Sequence, residues 1–164
     1  MLKLQQLQQE IAELADAKPV GKHQLHFTLK FLGEVAESQL RYIEERITQI
    51  AKQCSPFSVE ITGIGAFPSA GDARIVWAGA PALFNLQKAV QETLPPPDRT
   101  IVPHLTLARI RAASPVLSEF VRTHASTAIG SMIVHEIRLK QSTLGLTGPV
   151  YETIRAWPLG DAHA

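Results

Sequence analysis

Two histidines stand in the same four-residue setting, His26-Phe27-Thr28-Leu29 and His104-Leu105-Thr106-Leu107, 78 residues apart. The His and Thr content of the chain predicts about 0.4 chance matches to His-x-Thr, so a single occurrence would carry no weight, whereas two at an offset that recurs elsewhere in the chain do. On a strand, a His and a Thr two positions apart share one face, and the residues between them pack on the other. Two such strands facing one another would bring four polar side chains into one cleft. That set suits proton transfer at a phosphodiester: a neutral imidazole accepts a proton from water, an imidazolium donates one to the leaving oxygen, and hydroxyls bind the equatorial phosphate oxygens. A solvated strand face would explain either motif alone. A metal centre fits less well, because a zinc site needs three or four ligands and no Cys, Asp or Glu stands at ligand spacing from either histidine; the first acid after His26 is Glu34.

The periodicity around the motifs predicts the elements that carry them. Leu2, Leu4, Leu7, Ile11 and Leu14 predict a helix over 2–15, and Leu25, Phe27, Leu29 and Phe31 alternate as a strand over 25–31. A helix over 38–53 follows, with Ser38 as its cap, then strands at 57–62 and 74–79 joined by a Gly- and Pro-containing loop from Gly63 to Asp72. The order then repeats: a helix over 82–94 ending at Pro95-Pro96-Pro97, a strand over 101–109, a helix capped by Ser114 with Pro115 at its first position and running to about 126, and strands at 132–140 and 150–158. The two series superpose at the same 78-residue offset. The expected architecture is α+β: one bilobal domain over 1–164 with pseudo-twofold symmetry, its repeats about 1–79 and 80–159, antiparallel sheets lining a central cleft and helices on the outer faces.

Bulk properties narrow the class. A chain with 45% hydrophobic and 19% charged residues can build a real core, and a net charge of +1 supplies no long-range field for a nucleic-acid backbone. Any anionic substrate must be met by local groups. The single Cys54 reads as a buried thiol in a reducing compartment. The amphipathic start is no signal segment, and no apolar run approaches the roughly 20 residues of a membrane span. The expectation is a soluble, cytoplasmic protein with no membrane or obligate protein partner.

His26–Gly33 (H-F-T-L-K-F-L-G), Pro103–Arg109 (P-H-L-T-L-A-R), Gly63–Ser69 (G-I-G-A-F-P-S) and the stretch S-T-L…G-P-V-Y-E at 142–152 resemble the two-histidine phosphoesterase superfamily, and within it the RNA 2′,3′-cyclic phosphodiesterases, also called 2′-5′ RNA ligases. The resemblance spans about residues 2–159. It implies a metal- and cofactor-free hydrolase acting on RNA ends or nucleotides that bear a 2′,3′-cyclic phosphate. His26 would be the proton donor and His104 the acceptor, with Thr28 and Thr106 binding the phosphate. It also implies that Phe31 and Arg109, each five residues after its histidine, flank the nucleobase, although strict alternation puts both on the face opposite the histidines unless a bulge or strand end turns them. Lys30 lies on the histidine face by alternation and is a candidate charge for the phosphate. RNA ligation by the same two histidines, and non-catalytic binding of RNA ends, are the competing readings.

The other candidates read as structural. His23, His124, His135 and His163 have no partner motif, Gly63-Ile64-Gly65 reads as a turn, and Trp77 and Trp157 read as core aromatics. Relatives of this type begin with a short apolar strand before the first helix. The repeat offset places that strand just ahead of Met1, so the expectation is either a truncated start or one sheet with an unpaired edge.

Overall fold

Leu4, Leu7 and Ile11 recur at helical spacing and form the buried stripe of α1 (Leu2–Leu14). In the computed structural model, which describes residues 2–95, 100–145 and 148–160, this stripe packs on an antiparallel five-stranded sheet. Its order is β1 (Asp16–Pro19), β4 (His104–Ala112), β3 (Ile75–Gly79), β2 (Phe57–Phe67) and β5 (Ala128–Val134). α4 (Pro115–Thr123) adds Leu117 and Val121 to the same core, which contains Ile61, Ile64, Val76, Leu105 and Leu107 from the sheet. Ser114 caps α4 as expected, its Oγ accepting from Leu117 N at 3.0 Å.

A second core gathers Ile43, Ile47 and Ala51 of α2 (Glu37–Gln53) with Leu86 and Val90 of α3 (Phe84–Thr93). They pack on Ile137, Leu139 and Trp157 of the hairpin formed by β6 (Glu136–Gly145) and β7 (Gly148–Pro158). Phe27 packs against both cores. The mixed helix and strand architecture with a curled antiparallel sheet is the one expected. β3 and β4 pair across the boundary between the repeats, so the large sheet draws strands from both.

Several local expectations are corrected. The segment 25–31 is extended but is no strand; its one sheet contact is an antiparallel bridge, Phe27 to Leu105, because no neighbouring strand takes up its hydrogen bonds. β2 runs through the expected loop as far as Phe67, and Gly63 is no turn: it adopts φ +73° inside the strand, where the pairing with β3 shifts between Thr62 and Ile64. The strand expected at 132–140 is two strands, with His135 at the point where the chain leaves one sheet for the other. α2 begins before Ser38: Ala36 is the capping residue, and its N–H donates to Gln39 Oε1 at 3.3 Å. α4 stops at Thr123 and not near 126. The four-residue edge strand β1 was not anticipated. Pro96, Pro97 and His163 lie outside the described residues. Among the described residues no helix is long and apolar enough to cross a membrane.

Candidate active site

The second motif lies on β4, flanked by β1 and β3. His104 faces Gly79 and Thr106 faces Trp77 across the β3 ladder. The pairing then skips Leu107: Val76 pairs with Ala108 and Ile75 with Arg109. This bulge changes the phase of the strand. Leu105 and Leu107 point into the core before it and Ala108 and Ile110 after it, which leaves Arg109 exposed on the face of His104 and Thr106. On that face Phe67 meets the His104 imidazole edge-on at 5.1 Å between ring centroids, and the Trp77 indole lies 6.0 Å from it. Trp77 is thus a wall of the cleft and only half-buried, in contrast to Trp157, which is a core aromatic whose Nε1 donates to Thr48 Oγ1 at 2.8 Å.

The first motif shows the same phase change without a ladder. Phe27, Leu29 and Leu32 pack on the second core, which turns Phe31 outward, 72% exposed. Residues one, three and six after each histidine therefore pack inward, and the fifth is exposed. Lys30 departs from the alternation that placed it on the histidine face: it occupies the position of buried Ala108, and its Nζ donates to Gln91 Oε1 of α3 at 3.1 Å.

The Phe27–Leu105 bridge fixes the relation between the motifs. It brings Phe27, between His26 and Thr28, alongside Leu105, between His104 and Thr106. Each imidazole is held in the same manner. His26 Nδ1 lies 2.6 Å from Gln24 O, and His104 Nδ1 lies 2.6 Å from Val102 O. A carbonyl only accepts, so Nδ1 carries hydrogen in both and Nε2 is left for chemistry. His26 is exposed and has the Tyr151 ring at 5.5 Å; His104 is half-buried. Among the described residues no three His, Cys, Asp or Glu side chains gather as a metal site.

The model of the LigT-like phosphoesterase family matches residues 2–77, a span that includes the first motif. An Archaeoglobus fulgidus protein named RNA 2′,3′-cyclic phosphodiesterase is 36% identical over 162 residues, covering 94% of this chain and 91% of its own. This chain belongs to the LigT-like phosphoesterases. A second relative of the same name, from Methanothermobacter thermautotrophicus, is also 36% identical, over 92% of this chain and 88% of its own. A solved structure from Thermus thermophilus superposes with a TM-score of 0.80 at 29% identity, covering 96% of this chain.

Among the described residues of this LigT-like phosphoesterase, three further histidines stand outside the two motifs. His124 stacks on Phe120 at 4.1 Å, with Nδ1 2.8 Å from Phe120 O; His135 is exposed beside Glu136. His23 is exposed in a short helical turn, Lys22–Gln24. Cys54 follows the end of α2, where burial pushes its thiol pKa up and keeps it protonated. Sequence reasoning missed the aromatic walls Phe67, Trp77 and Tyr151. Phe67 and Tyr151 stand in the family-like stretches 63–69 and 142–152, but no linear pattern brings their rings to the histidines.

Proposed function

We propose that this protein hydrolyses a terminal RNA 2′,3′-cyclic phosphate and leaves a 2′-phosphomonoester. The observation that carries the reading is the matched pair His26 and His104, each with Nδ1 engaged by a carbonyl and Nε2 left over, related through the Phe27–Leu105 bridge. Water attacks phosphorus opposite the ribose 3′-oxygen. His104 Nε2 takes the water proton, the bond from phosphorus to the 3′-oxygen breaks, and His26 Nε2–H protonates that oxygen as it departs. Thr28 and Thr106 donate to the phosphate oxygens on which charge develops. Phe31 and Arg109, each exposed five residues after its histidine, flank the base: a ring and a guanidinium stack on any nucleobase. Lys30 is oriented toward α3 and acts on the phosphate at most from a distance. The substrate is an RNA end or a nucleotide, and a single free cysteine fits the reducing cytoplasm.

The test is an oligonucleotide ending in a 2′,3′-cyclic phosphate, incubated with the purified protein in millimolar EDTA. The expected product is the 2′-phosphate, formed at the same rate with or without chelator or added Mg²⁺, Mn²⁺ or Zn²⁺. Loss of activity in EDTA, restored by one of these ions with stoichiometric metal in the protein, overturns the two-histidine mechanism.

A further inference from the structure

Each motif has its backbone held by a buried glutamine at the point where its phase changes. Leu107 is the bulged residue of β4, and its carbonyl accepts from Gln8 Nε2 of α1 at 2.8 Å as well as from Val20 N at 2.9 Å. Leu29 is its counterpart in the first motif, and its carbonyl accepts from Gln91 Nε2 of α3 at 2.7 Å. The neighbouring Thr28 carbonyl accepts from Gln87 Nε2 at 3.3 Å. Among the described residues, Gln8, Gln87 and Gln91 are the glutamines with buried side chains, each at most 7% exposed. The Leu29 carbonyl stands outside any ladder, and a buried carbonyl without a donor is costly, whereas the Leu107 carbonyl keeps Val20 N as a backbone donor and has Gln8 as a second. A glutamine amide at that spot stabilises the bulged phase over the regular one.

We infer that Gln91 and Gln8 are positioning residues for substrate recognition: by bonding the Leu29 and Leu107 carbonyls they hold the phase change that turns Phe31 and Arg109 onto the histidine face. Without the amide, strict alternation would carry the fifth residue after each histidine to the opposite side. The first motif depends on its clamp more, since β4 also has β1 and β3 on either side, whereas the segment 25–31 has one bridge. The inference rests on the proposed role of Phe31 and Arg109 beside the base, so its test includes a measurement that needs no substrate.

The experiment is a double-mutant cycle. Gln91→Met keeps the length of the side chain and removes both the donor to Leu29 O and the acceptor for Lys30 Nζ, and Lys30→Met, which removes the second bond alone, is the control. Gln91→Met is expected to raise KM about three- to tenfold with kcat within about twofold, and to have no further effect in a Phe31→Ala background. Gln8→Met is expected to behave likewise, more weakly, toward Arg109→Ala. The pairings are specific: Gln91→Met and Arg109→Ala should be additive, as should Gln8→Met and Phe31→Ala. A global loosening would instead be additive with every partner and lower kcat, and that result overturns the inference. If a Met variant does not fold, the Asn variant, one methylene short of the carbonyl, carries the same test. The substrate-free measurement is a crystal structure of the Gln91 variant, expected to show Phe31 turned away from the His26 face. Phe31 unmoved there overturns the clamp. An unchanged KM in Phe31→Ala alone counts against the base-flanking reading and leaves the crystallographic test standing.

Discussion

Gly65 lies opposite Trp77 in the β2–β3 ladder, and a Cβ added to it would come within 2.2 Å of the indole Cζ2. No real contact is that short, so any side chain at position 65 must displace the indole, and the indole is part of the wall beside His104. Gly65→Val is therefore expected to lower kcat/KM at least about tenfold although residue 65 never meets the substrate. The measurement is kinetics alongside tryptophan fluorescence. Normal turnover with an altered Trp77 environment would remove the indole from the site.

Each histidine should be needed for turnover. His26→Ala and His104→Ala are each expected to lose about 10²–10⁴-fold in turnover with the fold intact, read from steady-state kinetics beside circular dichroism. Comparable activity in either variant would remove that residue from the mechanism.

Phe31 is too exposed to support the core, so Phe31→Ala should leave thermal stability within about 0.5 kcal/mol of the parent. Removing one base-stacking ring costs about 1–3 kcal/mol of binding, which is roughly 5- to 150-fold in KM. Equilibrium unfolding and steady-state kinetics on the same preparation check both halves. A stability loss without a KM change would make Phe31 a packing residue.

Ser114 and Ser38 look equivalent as helix caps in sequence but differ in the fold. Ser114 Oγ accepts from Leu117 N and donates to Leu14 O at 2.5 Å, tying α4 to the end of α1. Ser38 lies inside α2, after the capping Ala36. Ser114→Ala is expected to destabilise by about 1–2 kcal/mol and Ser38→Ala by less than about 0.5 kcal/mol, read from denaturant midpoints.

The candidate histidine pair was legible because His-x-Thr-Leu occurs twice, 78 residues apart, and the helices because Ile43, Ile47 and Ala51 or Leu117 and Val121 keep helical spacing. The phase change was also present in the sequence, as apolar residues one, three and six after each histidine: Phe27, Leu29 and Leu32, then Leu105, Leu107 and Ile110. A rigid two-residue template conceals it. Gly63 was misread because a positive-φ glycine in a bulge and one in a turn leave the same local mark. β1 was missed because Asp-Ala-Lys-Pro has no alternation, and an edge strand paired on one side needs little. Trp77 and Tyr151 are brought to the histidines by long-range contacts that one strand's pattern does not encode.

The glutamine clamps are exchanged between the repeats: α1, from the first, bonds the second motif, and α3, from the second, bonds the first. Phe27 is shared by both cores. Segments joined by such a handshake cannot melt independently. Calorimetry should record one transition with equal calorimetric and van't Hoff enthalpies. Fragments 1–79 and 80–164 should be unfolded alone and regain structure when mixed. Two resolved transitions, or a half that folds by itself, would mean that the exchange adds no cooperativity to the joined chain.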